Sequence, residues 1–545
     1  PAVSCSTTIG AALCSNMNLT DNFYGDRRIE PWHEFQPYLP DLAVGRLVEN
    51  PDEIVSQIDA FLASTARTPT TAASVGTDFM LDTAREIRDR WQGKGLSVDS
   101  LINNTWDKSR FLQQVVNTRH ELVSLNTHAD HCVIGAGNGD KITSHDISAS
   151  TGDLSQALYF SLGCHSGLNV PPQNPVDSFD LPQVFVRKGA TYVGNTGYGW
   201  GSTSGVGWSE RLMSIYADMV YGRSISVGQA LAAAKRSYAS SEALPDAYDA
   251  KVLLQATLYG LPHYKFLTAS RDSTTDAEEI KPYTVVTQSI SAVAGGLTRS
   301  TTTYSFPDFE NIVHDTGAFY TLAGHAQIDN GVPLQPRAGV DISVVKTMAH
   351  GAVLRSAVYQ DLARFDPVVG QAMTDGSVAV EPDFDAPGWY PSLPFTVNRF
   401  DSLATLALVL GQYDSASQTE RLYRKMTFDV YYHDSSSDWT PPTVGNVSSM
   451  LEEGQLSVTV YAADASGLQA VIATYTNRTG TWESVELEAT DSGWTGSFSV
   501  GANTRYFVQV VDGAGNVAVA DNNGRYFAPQ QGLYIMHLPL MISRE

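Results

Sequence analysis

The sequence is poor in cysteine, in basic residues and in long apolar runs. Its 545 residues include 4 cysteines, and 35 lysines and arginines stand against 58 aspartates and glutamates, for a formal net charge of −23. A surface this acidic repels a phosphate backbone, which argues against nucleic acid as a partner. No apolar run reaches the ~18 residues that a membrane-spanning helix needs. Neither an initiator Met nor a leader is seen before Pro1, so we expect that an upstream segment has been removed.

Charged residues are also scarce, at 17% of the chain, whereas glycine, serine, threonine and tyrosine are plentiful. This composition is typical of exported β-rich proteins and predicts a secreted or cell-surface location. Cys5 and Cys14 lie close together in a polar stretch and are candidates for a small disulfide in an oxidising compartment. Two free loop thiols are the alternative.

The first part of the chain, residues 1–270, alternates helical and strand-like patterns, which predicts an open α/β sheet with helices on both faces. The predicted strands are 73–80, 121–127, 156–162 and 190–194. The predicted helices are 51–62, 82–92, 107–119, 209–221, 227–238 and 247–258.

The pattern changes near residue 269 to alternating, Thr/Val/Ser-rich segments separated by turns. We predict a β-sandwich over 271–438, an immunoglobulin-like β-sandwich over 439–528, and a C-terminal strand or tail over 529–545. Asp512-Gly-Ala-Gly-Asn516 would suit a structural calcium ion, although a glycine-rich turn explains it without one.

Two apolar runs of strand length end on reactive side chains: Leu122-Val-Ser-Leu-Asn-Thr precedes His128, and Leu158-Tyr-Phe-Ser-Leu-Gly precedes Cys164. In an open α/β sheet, chemistry collects beyond the carboxyl ends of the strands. The pair therefore predicts a thiolate nucleophile and its base, as in a cysteine peptidase, with the two strands as parallel neighbours. A buried structural cysteine is the blander interpretation. A third interpretation is a zinc site formed by His128, His131 and Cys132 with Cys164 and His165. It is disfavoured because structural zinc sites favour closely paired ligands on turns rather than at two strand ends.

Residues 41–266 resemble the gingipain family of cysteine peptidases, which has a caspase-like fold. The resemblance is carried by the order and spacing of four segments: Leu42-Ala-Val-Gly-Arg-Leu47, the run from Leu122 to His128, Ala190-Thr-Tyr-Val-Gly-Asn-Thr196, and Tyr259-Gly-Leu-Pro262. It implies that Cys164 is the nucleophile and His128 the general base. The backbone amides of Ala129 and Cys164 would hold the oxyanion, with Ala129 standing where the family usually has glycine.

The resemblance also suggests how substrates are selected. Family members that cleave after Arg or Lys place a carboxylate in the specificity pocket, and Asp78 and Asp82 fall in the matching region. Asp82 as the cap of a helix N-terminus is the alternative. Trp200 is a candidate for the pocket wall, or an ordinary loop aromatic, and His131 is expected to line the site or pack beneath it.

One departure from the family concerns its early apolar strand, which has no counterpart in residues 1–25. We therefore expect the sheet to lack a strand, and an upstream fragment of the same precursor, cut by the enzyme itself, to supply it as a companion chain. The alternative to a secreted endopeptidase is a catalytically silent surface or adhesion protein that keeps the peptidase scaffold. Thiol labelling separates the two, because a catalytic Cys164 is expected to be an exposed, reactive thiolate.

Overall fold

The computed structural model describes most of the chain; the described residues are 19–28, 32–169, 179–268, 282–344, 346–374, 384–400, 403–434, 438–476, 480–501 and 503–529. Cys5, Cys14 and nearly all of the predicted C-terminal tail lie outside them. Among the described residues, no helix combines the length and the apolar character that crossing a bilayer requires.

A six-stranded sheet organises the α/β region, residues 32–268. Its strands, in chain order, are β1 (Thr71–Gly76), β2 (Ser97–Ile102), β3 (Leu122–Asn126), β4 (Leu158–Ser161), β5 (Thr191–Asn195) and β6 (Ala256–Tyr259). They lie in the order β6-β5-β4-β3-β1-β2, all parallel except β6. Strand β2 was not predicted from the sequence, because only Leu101 of that edge strand is buried, and β6 was predicted to be the end of a helix.

Helices cover both faces of this sheet, as predicted. Alternate strand residues point to opposite sides, so Leu122 and Phe160 belong to one apolar core and Val123 and Tyr159 to the other. The helices on the first face are Leu81–Gly93, Trp208–Val220, Val227–Ser241 and Ala247–Gln255. Those on the second face are Lys108–Phe111, Ser144–Ala149 and Leu181–Arg187.

The predicted helix near residue 51 is present as Pro51–Ala63, but its apolar stripe is not buried. Its N-terminus follows the usual rules: the Asn50 side chain accepts from the Glu53 amide, and proline occupies the first turn. No residue of the helix is buried, and Leu62 is 70% exposed. The helix therefore offers an apolar face on the described surface.

The prediction that the sheet lacks a strand is wrong for its interior. Strands β1 to β6 are hydrogen-bonded neighbours without a gap, and all six come from residues 71–259. The early strand that the sequence resemblance required is not needed, because β1 follows residue 70 and takes a central position. A companion chain could therefore add a strand only at an edge of the sheet.

The sandwich region, residues 282–434, consists of two facing antiparallel sheets with Leu354, Leu406 and Phe428 in the core between them. One sheet contains Thr284–Ala292, Leu297–Ser305, Thr419–His433 and Met348–Ala363. The other contains Ala326–Gln327, Gln335–Asp341, Leu403–Val409 and Phe395–Phe400.

The C-terminal region, residues 438–529, is a second pair of facing sheets around Val458, Val471 and Val508. The sheets are formed by Thr443–Glu452, Gln455–Ala463, Gly493–Ser499 and Glu488–Thr490, and by Thr481–Glu486, Leu468–Thr476, Arg505–Asp512 and Val517–Ala520. Thr481–Glu486 also pairs with Met348–Ala363, so one sheet runs across the predicted boundary at 438.

Short elements complete the described structure. The short strands pair as Ala66–Arg67 with Lys265–Phe266, Ala129–Asp130 with Val133–Gly135 and Lys141–Thr143, Glu310–His314 with Gly317–Thr321, and Trp389–Tyr390 with Gly411–Asp414. The helical turns are Asn22–Gly25, Asp78–Met80, Leu112–Val116 and Ala294–Gly296.

The sandwich region packs directly on the α/β region. Trp208 and Leu212 share one apolar core with Ile328 and Leu334. At the same joint the buried Glu242 carboxylate pairs with Arg211 from the α/β region and, at 3.3 Å, with Arg337 of the sandwich region. The two regions thus meet through a shared apolar core and a buried ion pair.

Candidate active site

Three neighbouring parallel strands bring their carboxyl ends to one edge of the sheet. In the observed register Gly76 lies beside Asn126, and Leu125 lies beside Ser161. Asp78 and His128 each follow their strand end by two residues, and Cys164 follows Ser161 by three. The predicted parallel pairing of β3 and β4 is confirmed, and β1 adds a third side chain to the same edge.

The loops that carry the candidate base and the candidate nucleophile are in direct contact. A Cβ atom built on Gly163 would lie 2.6 Å from the Thr127 carbonyl oxygen and 2.6 Å from the Ala129 Cβ. Real Cβ atoms do not approach other atoms so closely, so the loops can meet only because residue 163 is glycine. The methyl group of Ala129 fits because it lies against this glycine.

The turn after Cys164 is fixed onto strand β5. His165 has a positive φ of 52°, and its amide donates to the Gly197 carbonyl at 2.7 Å. From the other side, the Asn195 side chain donates to the Leu162 carbonyl at 2.8 Å. These bonds hold Cys164 at the strand end from both directions.

Asp78 lies beside His128, not at the floor of a pocket as predicted. Its Oδ2 atom is 3.1 Å from His128 Nε2, and its side chain is 63% exposed. Asp78 also has a positive φ of 53°, a conformation that aspartate tolerates better than most residues. Its amide donates to Asn104 Oδ1 at 2.7 Å, which holds this backbone in place and its carboxylate beside the imidazole.

Cys164 is covered, which differs from the expected exposed thiolate. Its residue is 5% exposed. The thiol donates to the Gly199 carbonyl at 3.7 Å, and Sγ lies 3.1 Å from the hydroxyl of Thr374. Thr374 belongs to the sandwich region and is itself only 7% exposed. The cover thus comes from a residue 210 positions later in the chain.

The Ala129 amide lies next to the Cys164 turn. The nitrogen is 3.2 Å from the position that a Cβ of Gly163 would take. The preceding carbonyl, of His128, accepts from the Gly135 amide at 2.8 Å and so points away into the small sheet. This backbone arrangement keeps the amide of residue 129 on the side of the nucleophile.

His131 is engaged by carboxylates. Its Nδ1 is 3.0 Å from Asp130 Oδ1, and its Nε2 is 3.9 Å from Asp180 Oδ1. The hydrogen bond to Asp130 raises the pKa of His131 and holds the pKa of Asp130 at about 2. The predicted role of His131 as a lining residue has no support in these contacts.

Asp82 lies in the first turn of Leu81–Gly93, but Met80, not Asp82, is the N-cap residue. Burial raises the pKa of Asp82 to about 6, and the neighbouring Glu86 adds to the effect. Both residues line a cavity of about 340 Å³ where the α/β and sandwich regions meet, and neither Cys164 nor His128 lines it. The predicted carboxylate is therefore half-buried next to the site, not inside a pocket with the nucleophile.

Trp200 is core rather than an open pocket wall. It is 4% exposed and packs edge-on against Tyr248 with ring centroids 4.7 Å apart. Its amide donates to the Ser209 hydroxyl at 3.1 Å and its carbonyl accepts from the Ser209 amide at 3.0 Å, which ties the loop to the start of helix Trp208–Val220. Next to this loop, Phe79 packs on the His128 ring at 5.7 Å.

The predicted calcium candidate, Asp512–Asn516, is closed by its own hydrogen bonds. The Asp512 carboxylate accepts from the amides of Ala514 at 2.9 Å and Asn516 at 2.8 Å. Among the described residues, the group that could hold a metal ion is Asp512 with Asp438 and Asp464, whose ligand atoms lie within 4.8 Å of one another. The turn itself is satisfied without an ion.

No protein-family model and no curated protein matches the sequence. Among solved structures, the chain is similar to one described only as a protease, at 13% identity and TM-score 0.34, over 56% of this chain and 71% of the other. It is also similar to the Arg-specific cysteine proteinase gingipain R, at 10% identity and TM-score 0.34, over 86% of this chain and 79% of the other. A third similar structure is gingipain K of Porphyromonas gingivalis, at 13% identity and TM-score 0.21, over 28% of this chain and 100% of the other. The predicted gingipain resemblance is thus found again among solved structures. All three TM-scores are below 0.5.

Proposed function

We propose that this chain is a cysteine endopeptidase that uses Cys164 as nucleophile, His128 as general base and Asp78 as the residue that positions His128. The observation that carries the proposal is the meeting of these residues' loops at the ends of three adjacent parallel strands. Support comes from the 3.1 Å contact between His128 and Asp78 and from the contact of Gly163 with Ala129.

The chemistry follows from this arrangement. His128 Nε2 is held by Asp78, so Nδ1 would take the proton of the Cys164 thiol. The thiolate attacks the substrate carbonyl, and the amides of Ala129 and Cys164 stabilise the oxyanion. His128 then gives its proton to the leaving amine, and water hydrolyses the thioester with His128 again as base, which regenerates the thiol.

Of the two carboxylates considered for Arg or Lys specificity, Asp78 is bonded to His128, which leaves Asp82, and Asp82 lines a cavity that neither Cys164 nor His128 lines. Asp82 and Glu86 give the neighbouring cavity acidic walls, but Arg90 and Arg211 line it too. A fluorogenic panel with Arg, Lys, Leu and Asp before the cleaved bond tests this. Equal rates on all four would remove the specificity proposal.

Export and a companion chain also belong to this proposal. The low charge and high polar content favour export. The apolar side chains of Phe23, Leu42, Val55 and Leu62 are each exposed, and an upstream fragment could cover them. The distribution of the C-terminal strands agrees with an immunoglobulin-like module. A second polypeptide that copurifies and protects these side chains from solvent would support the companion.

The test of the function is cleavage of a peptide library by the full chain carrying Thr374→Gly, which removes the hydroxyl that lies 3.1 Å from the Cys164 sulfur, and by further variants of that chain. Cys164→Ala should abolish cleavage, and His128→Ala should lower kcat/KM by about 10²- to 10⁴-fold. Asp78→Asn should reduce the rate less, with the fold unchanged. The silent-scaffold alternative is favoured by the burial of Cys164, and it predicts no cleavage by any variant and no selective labelling of Cys164.

A further inference from the structure

A segment of the sandwich region crosses the candidate active site. Met373 and Gly201 form an antiparallel bridge: the Gly201 amide donates to the Met373 carbonyl at 3.0 Å, and the Met373 amide donates to the Gly201 carbonyl at 2.8 Å. Gly201 lies two residues after Gly199, whose carbonyl accepts from the Cys164 thiol. The bridge therefore runs next to the nucleophile.

The next residue of that segment closes over the sulfur. Thr374 Oγ1 lies 3.1 Å from Cys164 Sγ, and both residues are buried. A substrate carbonyl carbon would have to approach Sγ through this position. The group that contacts the sulfur is the Thr374 hydroxyl, whereas a bound substrate would present a main-chain carbonyl carbon to it. The segment therefore blocks the nucleophile and does not lie as a substrate ready for attack.

The segment is anchored from the sandwich side. The Ala372 amide donates to Asn330 Oδ1 at 3.0 Å, and the Gly370 amide donates to the Val332 carbonyl at 2.8 Å. The Ala372 side chain is buried in the same apolar core as Trp200. Residues 372–374 are therefore held on one side by the sandwich region and on the other by the loop beside Cys164.

An extended peptide that adds to exposed backbone in antiparallel fashion is a common mode of peptide recognition. Gly201 suits this role, because a Cβ there would lie 2.6 Å from both the Phe79 ring and the Glu210 carboxyl carbon. Substitution at this position would displace the loop, so the backbone edge that Met373 occupies depends on glycine.

We propose that residues 372–374 are a built-in blocking strand that occupies the substrate cleft and keeps the enzyme latent until the strand is displaced. The inference rests on the proposed peptidase function for its biological meaning. Blocking lowers the access of a reagent to the Cys164 sulfur, and this access is measurable without catalysis.

The experiment compares the full chain with Met373→Pro, which removes the amide that donates to Gly201, and with Thr374→Gly, which leaves the bridge intact but uncovers the sulfur. The rate of Cys164 alkylation by iodoacetamide is followed by mass spectrometry of the native protein, alongside cleavage of a quenched peptide library. Cys132, which is half-buried, serves as an internal reference in every sample. Met450→Pro, the same exchange on an exposed strand of the C-terminal region, is the matched control.

Both strand variants should alkylate Cys164 at least about tenfold faster than the unmodified chain, with the Cys132 rate and the Met450→Pro rates unchanged. Equal Cys164 rates in the unmodified chain and in Thr374→Gly would overturn the inference, even if Met373→Pro proved unfolded. Faster alkylation without any cleavage would uphold the blocking strand and remove the peptidase function. Cleavage by the unmodified chain as fast as by both variants would uphold the peptidase and remove the blocking strand.

Discussion

Replacing Gly163 with alanine tests whether the loops that carry His128 and Cys164 must touch. A Cβ at this position would lie 2.6 Å from Ala129 Cβ and from the Thr127 carbonyl oxygen. Carbon atoms in good contact lie about 3.5–4.0 Å apart, so the loops have to separate by about 1 Å. Such overpacking costs about 1–3 kcal/mol of unfolding free energy.

The catalytic consequence should be larger than the loss of stability suggests. A misplacement of about 1 Å between reacting groups lowers rates about 10²-fold. We therefore expect Gly163→Ala, made together with Met373→Pro so that the cleft is open, to lower kcat/KM for a peptide substrate about 10²-fold while the protein remains folded.

Gly93→Ala is the matched control, because a Cβ on Gly93 meets nothing within 4 Å. It should leave kcat/KM unchanged and slightly stabilise the end of its helix. A folded Gly163→Ala variant that retained the full kcat/KM would refute the reasoning, since the His128 and Cys164 loops would then not need their observed contact.

Two further predictions concern buried charge. Burial raises the pKa of Asp82 to about 6, so its ionisation destabilises the fold as pH rises from about 4 to about 6. The variant Asp82→Asn should therefore raise the unfolding free energy by about 3 kcal/mol at pH 8 and leave it unchanged at pH 3.5. Urea titrations at both pH values check this against the exposed control Asp89→Asn, and a gain of equal size at both pH values would contradict it. The variant Arg337→Met removes one of the two cations that pair with Glu242 and should lower the unfolding free energy by about 3 kcal/mol. The control Arg27→Met, at an exposed arginine, should change it little. Equal effects of the two variants would show that the contact between the α/β and sandwich regions does not depend on the pair of Arg337 and Glu242.

The strands that end on the candidate site could be predicted from sequence because they are short, mainly apolar runs. All residues of β3 and β4 are buried, and both were expected at nearly the observed positions. Strand β2 was missed because its outer edge is exposed and mostly polar. The alternation of apolar and polar residues in a sequence reflects which residues are buried, so an edge strand with one buried residue shows little alternation.

Asp78 and Thr374 show why contacts are harder to predict than strands. Asp78 was singled out, but its partner depends on the crossover that places β1 beside β3, an order that local pattern does not contain. Thr374 reaches Cys164 from 210 residues away and carries no reactive motif of its own. Phe79 and Gly199 were missed for the same reason: their importance lies in what they touch.

The way the strand is anchored bears on how such an enzyme could be activated. Even a short flexible tether gives an attached segment an effective concentration on the order of millimolar. Residues 372–374 are held more firmly than that, by hydrogen bonds to Asn330 and to Gly201. A substrate at about 1 µM that binds the cleft as well as the free segment would therefore be outcompeted about 10³-fold. If residues 372–374 block the cleft, a dilute substrate does not displace them by competition alone, whereas cuts on both sides of these residues would release them as a dilute, dissociable peptide. Proteolytic processing is accordingly the trigger that this geometry favours.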